Sequence, residues 1–472
     1  MFEIARHEFQ HQFRDGRLTI ASLAFFALLV SAIVSGWVQH AEAQRQHHAF
    51  TSEARAQWLT QGERHPHHAA HFGNYVVKPE LSLALFEPGL RPFVGQTLWL
   101  EAHERPAFTN IPSEDDQTLN TGLGVVSGAA AVQMLGSLLA LVIGSLAIVG
   151  EREKGTLRQA LSQGVRPGVW IGGKIAGLAS ILAVPIVPAA VIAMVGFLLI
   201  APADTRSDVG VRAVLMLSTN GLLILIALIV GLTVSALVRT SRAALLLALG
   251  LWISGFILAP RLASTLSSHF APTPSLAEYN AAVGDVFDAG FDKRGGYMQQ
   301  FEALRVTTLE EYGVETLDAL ETGYSGIRMK HLDAWSTEVD DREFARLQEV
   351  YGRQQAIRLG VSSISPFVAA RSVSQGMAAM DWAHYQDFLT AAERYRREFG
   401  YQMNDLLQQR VTGERWEMDG QNADWAKVEP FQYHNPSAFW AIRQQTGFLM
   451  VLLLWLAASW AALAFVTRRL RP

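Results

Sequence analysis

Apolar residues run almost unbroken through six stretches of this chain, at 18–38, 125–149, 175–201, 211–238, 243–260 and 447–466. A helix crossing a bilayer needs about 20 mostly apolar residues, so each stretch predicts a transmembrane helix. The fifth is the shortest, cut off by Pro260 and Arg261, and its length also fits a re-entrant or interfacial helix. Beyond it the pattern changes. Leu309 to Leu320, Arg342 to Leu359 and Trp382 to Leu407 carry apolar residues three and four apart among charges, the spacing of amphipathic helices, with breaks at Gly295-Gly296 and Ser365-Pro366. Ahead of the first stretch, Phe2, Ile4, Ala5, Phe9 and Phe13 recur at near-helical spacing and predict an amphipathic helix over 1–17 lying in the membrane interface. The fold class expected is an all-α integral membrane protein, with six transmembrane helices and a mainly helical extracytoplasmic domain over 262–446.

Charge sets the orientation, because short cytoplasmic loops collect Lys and Arg. Arg6, Arg14 and Arg17 precede the first span. Arg152, Lys154, Arg158, Arg166 and Lys174 fall between the second and third, Arg239 and Arg242 between the fourth and fifth, and Arg468, Arg469 and Arg471 after the sixth. All lie on one side of a six-span chain. Both termini, including the tail 467–472, and the segment 150–174 are therefore expected in the cytosol, and the segments 39–124 and 262–446 outside. The basic start, the apolar run and Ala41-Glu42-Ala43 imitate a secretory signal, but 18–38 is longer than the roughly 7 to 15 residues of a signal core, which favours an uncleaved first span.

Composition refines this picture. No cysteine is present, which excludes disulfides and thiol chemistry. The segment 262–446 holds 26 Asp and Glu against 17 Lys and Arg, so the expected outer domain is acidic and the rest of the chain basic. Seven histidines fall between His40 and His71. Of these, His65, His67, His68 and His71 are the candidate metal ligands, with the alternative that they belong to a solvated polar loop, since no Asp, Glu or Cys stands at ligand spacing among them. In the second stretch Gly124, Gly128, Gly136 and Gly144 recur at multiples of four, spacing that lets helices approach closely within one chain or between two copies. Pro185 and Pro188 predict a kink in the third span.

Ion-coupled transporters place ionisable side chains inside the membrane. The central parts of these six stretches hold only neutral polar residues, namely Gln133, Ser218, Thr219, Asn220 and Ser254. A transporter of this kind must draw its power from a partner.

The segment from Val149 to Lys174 has the form E-x-E-x-G-T-L followed by G-K at the mouth of the next span, carried by Glu151, Glu153, Gly155, Thr156, Leu157, Gly173 and Lys174. It resembles the coupling loop of ABC type-2 exporter permeases. Ser365, Pro366, His384, Phe388, Glu393, Tyr395 and Arg396 likewise resemble the outer-domain signature of a bacterial subgroup with a large insertion between spans 5 and 6. The resemblance implies a permease subunit in a bacterial inner membrane, paired with an identical or similar second permease and driven by a separate ABC ATPase. Glu151 and Glu153 would then stand exposed for docking, while Gly173 and Lys174 lie at the interface. ATP and magnesium would be held by the ATPase, this chain binding no cofactor and no nucleic acid and contacting membrane lipid. Gly168 to Ile175 imitates a phosphate-binding loop, but Ile175 stands where a hydroxyl would hold magnesium and no strand precedes it. No catalytic constellation is expected: Asp381 with His384 reads as a surface pair rather than a dyad. The alternative function is a non-transporting scaffold or sensor whose outer domain binds a ligand, with metal handling as one variant. The residues leave the substrate open.

Overall fold

The computed structural model describes residues 1–14, 16–102, 105 and 127–468. Gly124, Arg469 and Arg471 lie outside the described residues. Among the described residues, six helices are long and apolar enough to cross a membrane: Leu18–Leu59, Gly128–Lys154, Pro167–Ile200, Arg206–Leu237, Ser241–Phe270 and Thr446–Thr467, here spans 1 to 6. Nearly all remaining structure is helical. The exception is one antiparallel pair, β1 (Asn74–Val77) and β2 (Thr97–Leu100), registered with Tyr75 opposite Trp99 and Val76 opposite Leu98.

Span 1 departs most from its apolar stretch. It continues as one helix to Leu59, because no glycine or proline interrupts the chain between Gly36 and Gly62. Its 42 residues make a rod about 63 Å long, twice the roughly 30 Å of a bilayer's hydrocarbon. The apolar part buries Phe25, Leu29 and Ile33 among the spans, whereas the polar part ends on Trp58, buried against Phe399 and Trp425 with its indole N–H donating to the Trp425 carbonyl at 2.9 Å. Segments on either side of spans 2 to 5 thus share one hydrophobic core.

Spans 2 and 4 pack closest. A Cβ added to Gly144 would lie 2.6 Å from the Leu228 carbonyl oxygen, and one on Gly231 would lie 2.5 Å from that of Leu141. Gly136 faces Ile224 of span 4 and Phe25 of span 1, and Gly128 backs onto the Phe86 ring. Span 3 remains helical through Pro185 and Pro188. Span 5 runs through Pro260 to Phe270, directly after a widened π turn at Ile253–Leu258, and a second π turn occupies Val132–Gly136 of span 2.

The polar domain rests on a long helix, Tyr324–Ser362, against Trp382–Arg410, tied by the pairs Lys330–Asp405 and Arg397–Asp341. The helix expected over Leu309 to Leu320 lies earlier, at Tyr297–Tyr312, because Gly313 adopts a left-handed conformation (φ 64°) and stops it. Between the two long helices, Pro366–Met377 wedges among the spans. Its Val368, Ala369, Ala370, Val373 and Met377 are buried, and Asn220 of span 4 lies against its Ser374.

Candidate functional site

Two places bring polar residues together inside this apolar frame. The first surrounds Glu151 to Leu157, on the face that carries Met1 and Arg468: Met1 lies against Gly173 at the start of span 3, and Arg468 lines a cavity with Pro167 and Gly168.

Here three consecutive charged residues hold three different spans. Glu151 contacts the ammonium of Lys174 in span 3. Arg152 donates from its guanidinium to the carbonyls of Ala236 (3.0 Å) and Val238, satisfying the open end of span 4 where a cation also complements the helix dipole. Glu153 accepts from the backbone N–H of Ser241 at 2.8 Å and from its hydroxyl at 2.6 Å, capping the start of span 5. One turn back, the Ser235 hydroxyl accepts the N–H groups of Ile148 and Val149, both at 2.9 Å, where the helix of span 2 is interrupted.

Lys174 is buried, and Glu8 of the N-terminal helix is its second partner at 2.7 Å. Glu8 is itself buried, so Phe2–Arg14 packs directly on span 3 rather than merely lying in the interface. Gly173 and Gly177 make that approach possible, because a Cβ on either would fall 2.6 to 2.7 Å from the side chains of Ile4 and Glu8. Gly168 to Lys174 are helical, not a phosphate-binding loop. The expectation of two exposed carboxylates holds for Glu153. Glu151 is only 27 % exposed, with the buried Lys174 as the reason.

Gly155 (φ 78°) ends the Val149–Lys154 helix in the left-handed conformation and starts a second short one, Thr156–Ser162. Leu157 and Leu161 anchor it in the membrane core, and Arg158, Gln159 and Ser162 face outward.

The second place lies at the other end of the spans. The Gln133 amide donates to Asn220 at 3.0 Å, and Asn220 donates to the Met216 carbonyl (2.8 Å) and to Ser374 (3.4 Å). Beside them sits Glu87, which arrives from the loop between β1 and β2. It is buried, and its carboxylate accepts the Gly89 N–H at 3.2 Å. Burial pushes this carboxyl above its usual range, while hydrogen bonds from Ser374 and Gln133 and the Arg371 charge pull the other way. The spans themselves carry no central charge, but a loop delivers one beside them.

Nearby, Arg212 of span 4 is fully buried. It bonds Asp208 at 2.7 Å and the Met377 carbonyl at 3.2 Å, and it approaches His384 Nε2 at 3.5 Å. The opposite nitrogen of His384 meets Asp381, which also accepts from Gln445 at 2.6 Å. Asp381 and His384 therefore form a buried joint, not the expected surface pair, because span 4 supplies Arg212 and the chain before span 6 supplies Gln445. The other signature residues are joints as well. Ser365 donates to the Gly255 carbonyl in the π turn of span 5 (2.8 Å), Pro366 opens the wedge helix, Phe388 fills the domain core, Glu393 pairs with Arg396, and Tyr395 donates to the Glu429 carbonyl (2.9 Å).

Of the histidines, His65 caps the helix Pro66–Phe72. Its Nδ1 accepts the His67 N–H at 3.1 Å, its Nε2 meets the Trp416 carbonyl at 2.6 Å, and its ring stacks on that indole. His67 and His71 meet edge to face, with ring centres 4.7 Å apart, and the His68 ring lies 5.4 Å from that of His65. Among the described residues no three His, Asp or Glu converge as metal ligands.

A family model described as ABC-2 family transporter protein matches residues 2–467, the N-terminal helix, all six spans and the domain between them. The chain belongs to the ABC-2 transporter family. No curated protein and no solved structure matches it. As an ABC-2 family protein it is a multi-pass membrane component of a transport system, and membership implies an ABC ATPase partner in general terms. The structure joins Glu151, Glu153 and Lys174 of the segment that carried the resemblance to Glu8, Arg152, Ser235 and Ser241, which the sequence reading did not single out for this site. For Glu8 a signal was present, since it stands four residues after Ile4 on the helix's apolar side.

Proposed function

We propose that this ABC-2 protein is the permease subunit of an exporter, working as a pair with an identical or similar copy. A separate ATPase, which holds ATP and magnesium, would dock on the cytosolic side at Val149–Lys154 and Thr156–Ser162. The observation that carries the reading is the triple grip of Glu151, Arg152 and Glu153 on spans 3, 4 and 5. The outward residues of Thr156–Ser162 offer a polar docking surface, while the two leucines on its other side anchor it among the spans. A push on this helix reaches Gly155 and then three spans at once, and through Lys174 the N-terminal helix as well. The Lys and Arg distribution supports a cytosolic position for this face and for both termini, in a bacterial inner membrane.

The test is purification of the tagged full-length chain from its native membranes in mild detergent. An ABC ATPase should accompany it, and the complex should hydrolyse ATP. Glu151→Ala with Glu153→Ala should retain the ATPase at no worse than modestly reduced yield, yet lose the dependence of hydrolysis rate on the permease. Absence of any ATPase in the purified complex would sink the exporter reading and leave the scaffold alternative. A double variant that couples as well as wild type would remove the role given to these carboxylates.

A further inference from the structure

A cavity of about 460 Å³ opens between span 5, the wedge helix and the long helix Tyr324–Ser362, within the size range of small-molecule sites. Its position along the membrane is fixed by two hydrogen bonds. Ser365 reaches the Gly255 carbonyl in the π turn of span 5, and Gln354 reaches the Ala271 carbonyl (2.8 Å) just past the end of that helix. The cavity therefore follows the final turns of span 5. Phe256 and Phe367, with ring centres 5.6 Å apart, line the end nearer the span's centre, and Ser267 and Gln354 line the other.

Three observations give this space a chemistry. Arg358 and Arg371 both line it, one from each helix, and they repel one another; burial and the Arg371 charge together hold the half-buried Arg358 below its usual range. Arg358 donates to Gln375 at 3.2 Å, a neutral group, while the Glu87 and Asp381 carboxylates, which accept hydrogen bonds from other donors, offset part of its charge from a distance. Trp382 lines the same cavity, and its buried indole N–H has no hydrogen-bond partner among the described residues. Finally, both π turns border it, through Gln133 and Phe256, and are joined by the Trp252 N–H donating to the Met134 carbonyl at 3.2 Å. Such turns sit frequently at functional sites because they open a helix's backbone ladder. On the outer side of the second π turn, Ile253 and Ile257 are exposed, in a span whose most apolar stretch is only 17 % buried, so an uncovered apolar face stands beside the cavity.

We propose that this cavity binds an anionic amphiphile taken from the membrane, its acidic head between Arg358 and Arg371 within reach of the Trp382 N–H and its apolar chain along Phe256 and Phe367. Arginine suits carboxylate and phosphate alike, so the head group is defined as an anion of either kind. In the exporter reading, on which its purpose rests, this ligand is the transported substrate class.

The experiment uses the purified full chain in discs of zwitterionic lipid, without any ATPase, and a diazirine-bearing palmitate as probe. Irradiation should label peptides within 256–267 and 367–382. Palmitate and dodecyl phosphate should compete, whereas dodecanol and millimolar inorganic phosphate should not. Arg371→Gln, at an exposed position, should weaken labelling about tenfold, the loss of one charge-assisted contact, with the melting temperature measured alongside to show that the variant is folded. Arg371→Lys should recover most of it, and the exposed Arg394→Gln should change nothing. Labelling that dodecanol displaces equally, that maps elsewhere, or that ignores Arg371→Gln would overturn the proposal. Competition by inorganic phosphate would also overturn it, by reducing the site to one for a free anion. Failure here, with an ATPase still co-purifying from native membranes, would leave the exporter reading intact, and labelling as expected, with no ATPase co-purifying from native membranes, would sink that reading alone.

Discussion

Asp340 shows how a single carboxylate in this protein answers to its surroundings. It is buried beneath the domain helices, and burial pushes its carboxyl up to about 6, with the Arg396 charge pulling it down and Glu393 adding to the rise. Between the ordinary value of 3.8 and about 6 the folded chain holds a proton that the unfolded chain has released. Stability from this group is therefore present below that window and lost as pH rises through it. Asp340→Asn should remove this dependence and stabilise the protein at pH 7.5 by up to about 3 kcal/mol, with little gain at pH 4. Thermal unfolding of both proteins across that range measures the difference; a variant no more stable than wild type at pH 7.5 would contradict it. At the other end of the molecule the same rule explains Lys174, which stays buried only because Glu8 and Glu151 accompany it.

At the scale of elements, the contact between spans 2 and 4 depends on having no side chain where they cross. Gly144→Ala would force its new methyl against the Leu228 carbonyl, a backbone atom that cannot rotate away. Overpacking of this kind costs about 1 to 3 kcal/mol. Gly150, six residues along the same span, has nothing within 4 Å of such a methyl. Gly144→Ala should lower the melting temperature in detergent and Gly150→Ala should not, and equal behaviour of the two would refute the close crossing. The six spans were legible because length and hydropathy are properties of the chain alone. The π turns at Val132–Gly136 and Ile253–Leu258 were not, since nothing in their residues departs from an ordinary apolar helix. Continuation of span 1 past Val38 is written in the absence of Gly and Pro between Gly36 and Gly62, but the change to polar residues there hides it from a hydropathy pattern. Glu87 and the Asp381–His384 joint were hidden for a different reason. Their burial is decided by elements more than 40 residues away, Gln133 and Ser374 for one and Arg212 for the other.

The molecule as a whole is organised around two polar ends joined by apolar helices. The end that carries Met1 and Arg468 is small, basic and tied together by charged residues in sequence. The other is a domain of two distant segments, pinned to the membrane by Arg212 and by the long helix of span 1. Which end faces the cytosol decides whether the grip of Glu151, Arg152 and Glu153 can serve an ATPase, so topology tests the whole argument. The chain has no cysteine, and single ones can be introduced against a silent background. Ser162 and Thr240 are exposed at the basic end, and Thr307 is exposed on the domain. Lys and Arg collect in cytosolic loops. In intact cells an impermeant maleimide should therefore label Thr307→Cys and spare Ser162→Cys and Thr240→Cys, while all three should react once the membrane is permeabilised. Labelling of Ser162→Cys or Thr240→Cys in intact cells would turn the molecule over, place the three-residue grip outside the cell, and leave an ATPase nothing to push.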